Sequence, residues 1–247
     1  MIDYSKFLNN SIQEIKPSGI RKFFDIASEM DDVISLSIGE PDFQTPWHIR
    51  EEGINSLKNG KTWYSPNRGF AQLREEIANY YARRFNISYE GKTQVLVTVG
   101  GSEAIDLAFR CLVSEGDEVI IPEPSFVCYE PLTHMAGGKA VIINTKAEDQ
   151  FRLKADDLEK AITDKTKLVV LPFPNNPTGA IMEKADLEAI AEVIKKHDLF
   201  VLSDEIYCEL TYGGKNHISI AAIDGMYERT VVINGFSKSY AMTGWRL

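Results

Sequence analysis

The chain has 247 residues, of which 44% are hydrophobic and 26% are charged, the ordinary composition of one large globular domain or two small ones. Its net charge of −9, without a long cluster of lysine and arginine, argues against nucleic acid as a partner. No apolar run approaches the ~18 residues of a membrane span, and the first residues do not resemble a signal peptide. We therefore expect a cytoplasmic protein that binds neither membranes nor nucleic acid.

Cysteine and histidine give no sign of a disulfide framework or a metal site. The three cysteines, Cys111, Cys128 and Cys208, are far apart in sequence and lie in or beside apolar runs. They are predicted to be buried free thiols in a reducing compartment. The four histidines show no metal-ligand spacing such as HExxH, so no metal is expected.

The N-terminal third differs in pattern from the rest of the chain. Helical patterns around 19–30 and 72–85 flank a loop-rich stretch that contains GEPDFQTP and YSPNRG. From about Gln94 onward, short apolar runs alternate with helical patterns. The sequence therefore predicts an N-terminal arm and a helical layer, followed by a sheet that begins near Gln94.

The apolar runs predict a doubly wound α/β sheet. They are continuous rather than alternating, which is typical of parallel strands buried on both faces. Two intervening segments show helical periodicity: 102–113, with Ile105, Ala108, Phe109 and Leu112 on one face, and 184–198, with Leu187, Ile190, Ala191 and Ile194. The predicted strands are Gln94 to Val99, Glu118 to Ile121, Ala140 to Ile143, Leu168 to Leu171, Phe200 to Ser203 and Val231 to Asn234.

Polar residues follow four of these strands, at the sheet edge where α/β proteins bind ligands. The first strand leads into Gly100-Gly101-Ser102-Glu103, a phosphate site in principle because backbone N–H groups open a helix there; a plain turn and cap is the alternative. The GxGxxG and GxxxxGK[ST] spacings are absent. Asn176 lies in the proline-rich loop after the run Leu168 to Leu171. Asp204 and Tyr207 follow the run Phe200 to Ser203, and Lys238 follows the run Val231 to Asn234.

Taken singly, these residues have ordinary explanations: a rigid turn for Asn176, a helix cap for Asp204 and a loop position for Lys238. Taken together, they offer a phosphate nest, a fixed amide, a carboxylate, and a lysine followed by Arg246. One small molecule uses all of these groups, pyridoxal 5′-phosphate. It has an aldehyde for the lysine, a phosphate for the nest and a ring nitrogen for the carboxylate.

The motifs GEPDF, YSPNRG, GGSEAI, PEPSF, NNPTG, SDEIY and FSKSYAMTGWRL occur in this order from Gly39 to Leu247. In these motifs the chain resembles the class I/II aminotransferases, which are pyridoxal-phosphate enzymes of fold type I. The resemblance implies a mostly parallel sheet sandwiched by helices, with an arm and part of a small domain over 1–45. An incomplete cofactor-binding large domain would cover 46–247, and most of the small domain would be absent.

The resemblance assigns the catalytic roles to Lys238, Asp204 and Tyr207. Lys238 would hold the cofactor as an internal aldimine and, once displaced, move a proton from the substrate α-carbon. That role requires a lowered pKa, which a nearby cation and partial burial would provide. Asp204 would pair with the ring nitrogen, and Tyr207 would donate to the phenolic oxygen.

The resemblance also supplies the remaining contacts to cofactor and substrate. Asn176 would donate to the phenolic oxygen and line the substrate site with Gly39, and Phe126 would stack on the ring. Tyr64 would reach the phosphate in the neighbouring subunit, which implies a homodimer with shared sites. The phosphate would lie against the backbone of Gly101 and Ser102, with Glu103, Ser237 and Arg246.

Two departures from the family pattern stand out. The position three before the lysine, often a serine that binds the phosphate, is Gly235 here, so we expect this contact to be lost or moved to Ser237. The family also continues beyond the WRL segment, through a further strand and the arginine that binds the substrate carboxylate. This predicts that the chain is a fragment.

The expected reaction is transfer of an amino group from an L-amino acid to a 2-oxo acid, 2-oxoglutarate being the expected acceptor, by ping-pong chemistry. A C–S β-lyase or related fold type I enzyme would use the same cofactor residues. An inactive chain that only binds cofactor or a partner is a further alternative. The donor amino acid is open, since both aromatic and aspartate-type specificity fit, and the arm segment Ser18 to Arg21 does not decide between them.

Overall fold

A computed structural model describes residues 2–15, 26, 30, 34 and 39–247. The arm segment 18–21 and most of the helix predicted around 19–30 lie outside these residues. None of the helices in the described ranges combines the length and apolarity that crossing a membrane requires. The α-helices are α1 (Asn10–Glu14), α2 (Trp47–Lys58), α3 (Ala71–Phe85), α4 (Gly101–Leu112), α5 (Tyr129–Met135), α6 (Ala155–Ala161), α7 (Lys184–Lys196) and α8 (Phe236–Ser239).

Five strands form one parallel sheet in the order β2-β1-β3-β4-β5. Because all the strands run the same way, their carboxyl ends meet at one edge, and the predicted α/β class is confirmed. The strands are β1 (Glu118–Glu123), β2 (Lys139–Asn144), β3 (Thr166–Leu171), β4 (Phe200–Asp204) and β5 (Thr230–Ile233).

The two faces of β3 show why its sequence is continuously apolar. Val169 and Leu171 pack on one face with Ile190 of α7, whereas Leu168 and Val170 pack on the other with Phe109 of α4. All four strand residues are buried. A strand covered by helices on both sides has no polar face, so every second residue is as apolar as its neighbours.

The helical periodicity in the sequence is confirmed in both segments. In α4, Ile105, Ala108 and Phe109 are buried, and in α7 all four predicted positions are buried. Glu183 lies just before α7, and its backbone N–H donates to the Asp186 carboxylate at 3.1 Å. A side chain in the first turn therefore accepts a hydrogen bond from the backbone at the start of the helix.

The first predicted strand, Gln94 to Val99, is wrong. This segment does not join the sheet, which begins at Glu118 among the described residues, and Leu96 and Val99 are 55% and 62% exposed. A groove of about 730 Å³, here called the edge groove, lies between Val95 and Leu96 on one side and Val231 and Val232 of β5 on the other. An apolar run forms a strand only where a neighbour pairs with its backbone, and no strand in the described ranges pairs with this one.

All three cysteines are free, but only Cys208 is fully buried. Cys128 is partly buried and Cys111 is exposed, so the predicted burial is wrong for Cys111. Its position in α4 is turned away from the face that Ile105 and Phe109 bury against the sheet.

Candidate active site

Asp204 ends β4 and is buried at the carboxyl edge of the sheet, with 7% of its surface exposed. Its Oδ2 accepts a hydrogen bond from the Tyr129 hydroxyl at 2.8 Å. Its Oδ1 accepts from the backbone N–H of Ile206 at 3.1 Å. Both carboxylate oxygens are therefore held in place, and helix capping alone does not explain the residue.

The electrostatics of Asp204 favour a cationic partner. Burial raises the pKa of its carboxyl, the donors Tyr129 and Ile206 lower it, and the charge of Glu205 raises it. No ion pair of Asp204 occurs within the described part of the chain. A buried carboxylate that receives only neutral donors gains most from a positively charged ligand.

Lys238 lies in α8, directly after β5, and its amine donates to the carbonyl oxygen of Gly39. The same amine lies 5.6 Å from the ring centroid of Tyr207. Burial lowers the pKa of Lys238, the charge of Glu40 opposes that change, and Arg246 lowers the pKa further. The lowered value agrees with the direction that the sequence predicts for a lysine acting as a base.

Gly100, the first residue of the glycine pair, lies against Arg246. Gly100 has a φ of 78°, and a Cβ atom there would lie 2.6 Å from a guanidinium nitrogen of Arg246. α4 then begins at Gly101 without a side-chain cap, and Ser102 in its first turn is exposed. The uncapped start of α4 and the guanidinium of Arg246 therefore lie close to the same residue, Gly100, an arrangement that suits a phosphate.

Glu103 has a different role in this corner. Its carboxylate accepts a hydrogen bond from the backbone N–H of Val99, so the side chain holds the turn that precedes α4. A carboxylate has no proton to donate at neutral pH and repels an anion, so the neighbouring N–H groups and Arg246 are the better phosphate ligands.

An aromatic side chain and a fixed loop border the same edge. Phe126 is partly exposed, and its ring meets the edge of the Tyr129 ring with centroids 6.3 Å apart. Asn176 is partly buried beside Asn175, whose Oδ1 accepts from the Thr178 N–H at 3.1 Å and hydroxyl at 2.8 Å. Asn175 therefore fixes the loop that presents Asn176.

The family pattern described as "Aminotransferase class I and II" matches residues 31–247. The chain belongs to this aminotransferase family. Members of the family depend on pyridoxal phosphate, the cofactor that the strand-end residues predict.

Individual relatives match most of this chain. It is 54% identical to the putative aminotransferase YugH of Bacillus subtilis over 98% of this chain and 63% of YugH. It is 47% identical to aromatic-amino-acid aminotransferase 2 of Thermococcus litoralis over 97% of this chain and 62% of that protein. The solved structure of Pyrococcus protein-A1 superimposes with a TM-score of 0.93 at 48% identity, over 96% of this chain and 61% of that one. The chain thus spans about 60% of the length of these relatives.

Two predicted residues of the candidate site, Tyr64 and Ser237, make no side-chain hydrogen bond to the cluster around Lys238 among the described residues, and a third, Gly39, contacts it through the backbone alone. Tyr64 is fully exposed. Ser237 accepts from the Met242 N–H through its carbonyl, and its hydroxyl makes no hydrogen bond to the described residues. Gly39 reaches the site through its carbonyl, and a Cβ atom there would lie 3.2 Å from the Tyr207 hydroxyl.

Sequence reasoning missed two residues of this candidate site. Tyr129 donates to Asp204, although the two are 75 positions apart, and Glu40 acts on the charge of Lys238. Glu40 stands inside the GEPDF motif and could have been identified there. A tyrosine near a helix start resembles an ordinary core residue, so no local signal distinguishes Tyr129.

Proposed function

We propose that this chain carries the cofactor site of an aminotransferase, which moves an amino group from an L-amino acid to a 2-oxo acid, with 2-oxoglutarate as the acceptor. The reaction would run in two half-reactions, with Lys238 as the covalent anchor of the cofactor. The observation that supports this most strongly is Asp204, a buried carboxylate with two neutral donors and no ion pair among the described residues. A protonated pyridine nitrogen is the cation that would complete it.

The residues present fit pyridoxal phosphate at three separate points. Arg246 and the start of α4 suit the phosphate, because any side chain at Gly100 would collide with the guanidinium. Asp204 suits the ring nitrogen, and Lys238 suits the aldehyde. When bound, the cofactor acts as an electron sink that makes the substrate α-proton acidic.

Two side chains of this chain, Lys238 and Tyr207, would transfer a proton and stabilise charge beside the bound cofactor. Burial lowers the pKa of Lys238, and this direction favours the neutral amine that would take a proton from the α-carbon. The contact from Gly39 holds this amine beside the Tyr207 ring. Tyr207 would donate from its hydroxyl, whose pKa is raised by burial and by Asp204, and so would stay protonated.

The organisation around this site follows from the same proposal. Residues 46–247 would form the cofactor-binding domain, and 1–45 an arm with part of a second domain. A homodimer would give the fully exposed Tyr64 a place at the neighbouring phosphate. Both aromatic and aspartate-type donors stay compatible with the site.

Trapping the cofactor tests the proposal directly. Purified chain is mixed with pyridoxal phosphate, reduced with borohydride and mapped by mass spectrometry, and the adduct should lie on Lys238. Lys238→Ala should abolish it. Lys215→Ala is the matched control, because Lys215 pairs with Glu183 on the surface at 2.8 Å. An adduct that persists in the Lys238 variant would remove that residue from the reaction.

Turnover assays distinguish the reaction types that share this site. An aminotransferase consumes amino acid only when a 2-oxo acid is present, whereas a β-lyase releases pyruvate and ammonia without one. We expect oxo-acid-dependent transfer from the chain extended to the full length of its relatives. Pyruvate release without an acceptor would instead favour the lyase.

A further inference from the structure

Tyr129 connects two residues that border the proposed cofactor site. It opens α5, is 1% exposed and donates its hydroxyl to Asp204 at 2.8 Å. Its ring lies edge-on to Phe126, with the two planes at 81°. Thr133 holds the first turn of α5, because its hydroxyl donates to the Tyr129 carbonyl at 2.8 Å. One side chain on a fixed helix therefore contacts both the carboxylate and the aromatic residue.

The choice of partner for this hydroxyl is informative. A buried tyrosine needs an acceptor, and a backbone carbonyl is the usual one. Tyr129 instead donates to a carboxylate whose only other hydrogen bond within the described residues comes from the Ile206 backbone. The Ile206 donor belongs to the backbone and would be present with almost any residue at that position. Tyr129 is therefore the side chain that sets the orientation of Asp204.

We propose that Tyr129 is a positioning residue that orients Asp204 toward the cofactor's ring nitrogen and keeps its carboxylate ionised. This role toward the cofactor depends on the proposed function, whereas the effect on Asp204 does not. The other ionisable groups near Asp204 do not take this role: Glu205 is a neighbouring acid, and among the described residues neither the Cys128 thiol nor the Tyr207 hydroxyl donates a hydrogen bond to Asp204.

The physical reason is the buried position of the carboxylate. Burial and the charge of Glu205 both favour a protonated Asp204, which could not balance a positive ring nitrogen. Burial also raises the pKa of Tyr129 well above its ordinary range, so its hydroxyl stays protonated and remains a donor at neutral pH. Such a donor stabilises the ionised form of the acid.

The first test uses the chain without cofactor. The carboxyl carbon of Asp204 is titrated by NMR in the unchanged chain and in Tyr129→Phe, which keeps the buried ring. We expect its proton affinity to rise about tenfold in the variant, because a hydrogen bond to a charged acceptor is lost. Tyr81→Phe is the matched control, since that buried hydroxyl accepts from Asn234 at 2.9 Å instead. An unchanged Asp204 titration in Tyr129→Phe would overturn the proposal.

A second measurement covers the case in which Tyr129→Phe does not fold. In Asp204→Asn the ring carbon that bears the Tyr129 hydroxyl should change its chemical shift, because its charged acceptor is gone. No change there would also overturn the proposal.

Adding pyridoxal phosphate separates this inference from the proposed function. Absence of a borohydride-stable adduct in the unchanged chain would contradict the proposed function, while the titration of Asp204 still decides whether Tyr129 acts on it. Where the adduct forms, the pH dependence of the bound cofactor's absorbance should differ between the unchanged chain and Tyr129→Phe. A shifted Asp204 titration with an unshifted absorbance profile would mean a purely structural hydrogen bond and would overturn the positioning role.

Discussion

The centre of the sheet and its β5 margin have similar sequences but different environments. In β3, Leu168, Val169 and Val170 are fully buried beneath helices on both faces. At the margin, Val231 of β5 is only partly buried, and Leu96 across the edge groove is more than half exposed. Apolar composition is therefore the same in both regions, and the difference comes from whether a neighbouring strand is present to pair with.

The candidate site lies across the boundary between these regions. Asp204 belongs to the centre, where β4 is paired on both sides. At the margin, Lys238 follows β5, and Gly100, which lies against Arg246, follows the unpaired run Gln94 to Val99. We therefore expect the ring-nitrogen end of the site to be rigid, and the phosphate and lysine end to depend on contacts among loops.

Replacing one leucine in each region should give the largest difference. Leu168→Ala leaves a cavity in the buried centre and should lower the free energy of unfolding by about 3–5 kcal/mol. Leu96→Ala removes a side chain that is already mostly in water and should cost less than about 1 kcal/mol. Urea unfolding followed by circular dichroism measures both, and equal losses would mean that the margin is packed as tightly as the centre.

Arg246→Gln tests the phosphate corner, which depends on margin contacts. Loss of the guanidinium should weaken pyridoxal phosphate binding by about 10–100-fold, because a charged hydrogen bond to phosphate is removed. Arg229→Gln is the control, since Arg229 pairs with Asp198 at 2.9 Å on the surface and lies outside the site. Affinity is measured by cofactor absorbance or fluorescence. Equal affinities in the two variants would exclude Arg246 as a phosphate ligand.

The sequence predicts the centre well and the margin poorly, for a physical reason. Continuous runs such as Leu168 to Leu171 are buried by α4 on one face and α7 on the other, and the helical spacing of apolar residues in both helices indicates this burial from sequence alone. The run Gln94 to Val99 looks identical locally. Its pairing depends on a distant partner, which no local pattern encodes.

The same reasoning separates the site residues that the sequence predicts from those it misses. Asp204, Lys238 and Gly100 are found because each directly follows an apolar run, and the carboxyl edge of a parallel sheet is where ligands bind. Tyr129 acts through a contact 75 positions away, and Glu40 acts through charge alone. The contact of Tyr129 has no sequence signature and requires the folded arrangement, whereas Glu40 stands in the GEPDF motif and only its effect on Lys238 requires the fold.

Changing Glu40 should shift the pH dependence at the lysine end of the site. Only a neutral amine attacks an aldehyde, so trapping of pyridoxal phosphate on Lys238 should increase as pH rises through the pKa of that lysine. Burial lowers this pKa and the charge of Glu40 opposes the change, so Glu40→Gln should move the midpoint to lower pH. Glu188→Gln, on the surface beside Lys184 at 3.5 Å, serves as the control. A midpoint that moves upward, or does not move, would contradict the assigned effect of Glu40.

The smallest expected effect concerns the edge groove itself. An unpaired strand edge beside exposed apolar side chains binds apolar dyes and other chains, so the protein should enhance the fluorescence of anilinonaphthalene sulfonate. Leu96→Gln should reduce that enhancement and change the free energy of unfolding by no more than about 0.5 kcal/mol, because the side chain is already largely exposed. Leu57→Gln, which alters an exposed leucine of α2 outside the groove, is the matched control. If both substitutions reduce dye binding equally, the dye reports general surface apolarity. A selective loss in Leu96→Gln would instead locate the exposed apolar surface between β5 and the run that fails to pair with it.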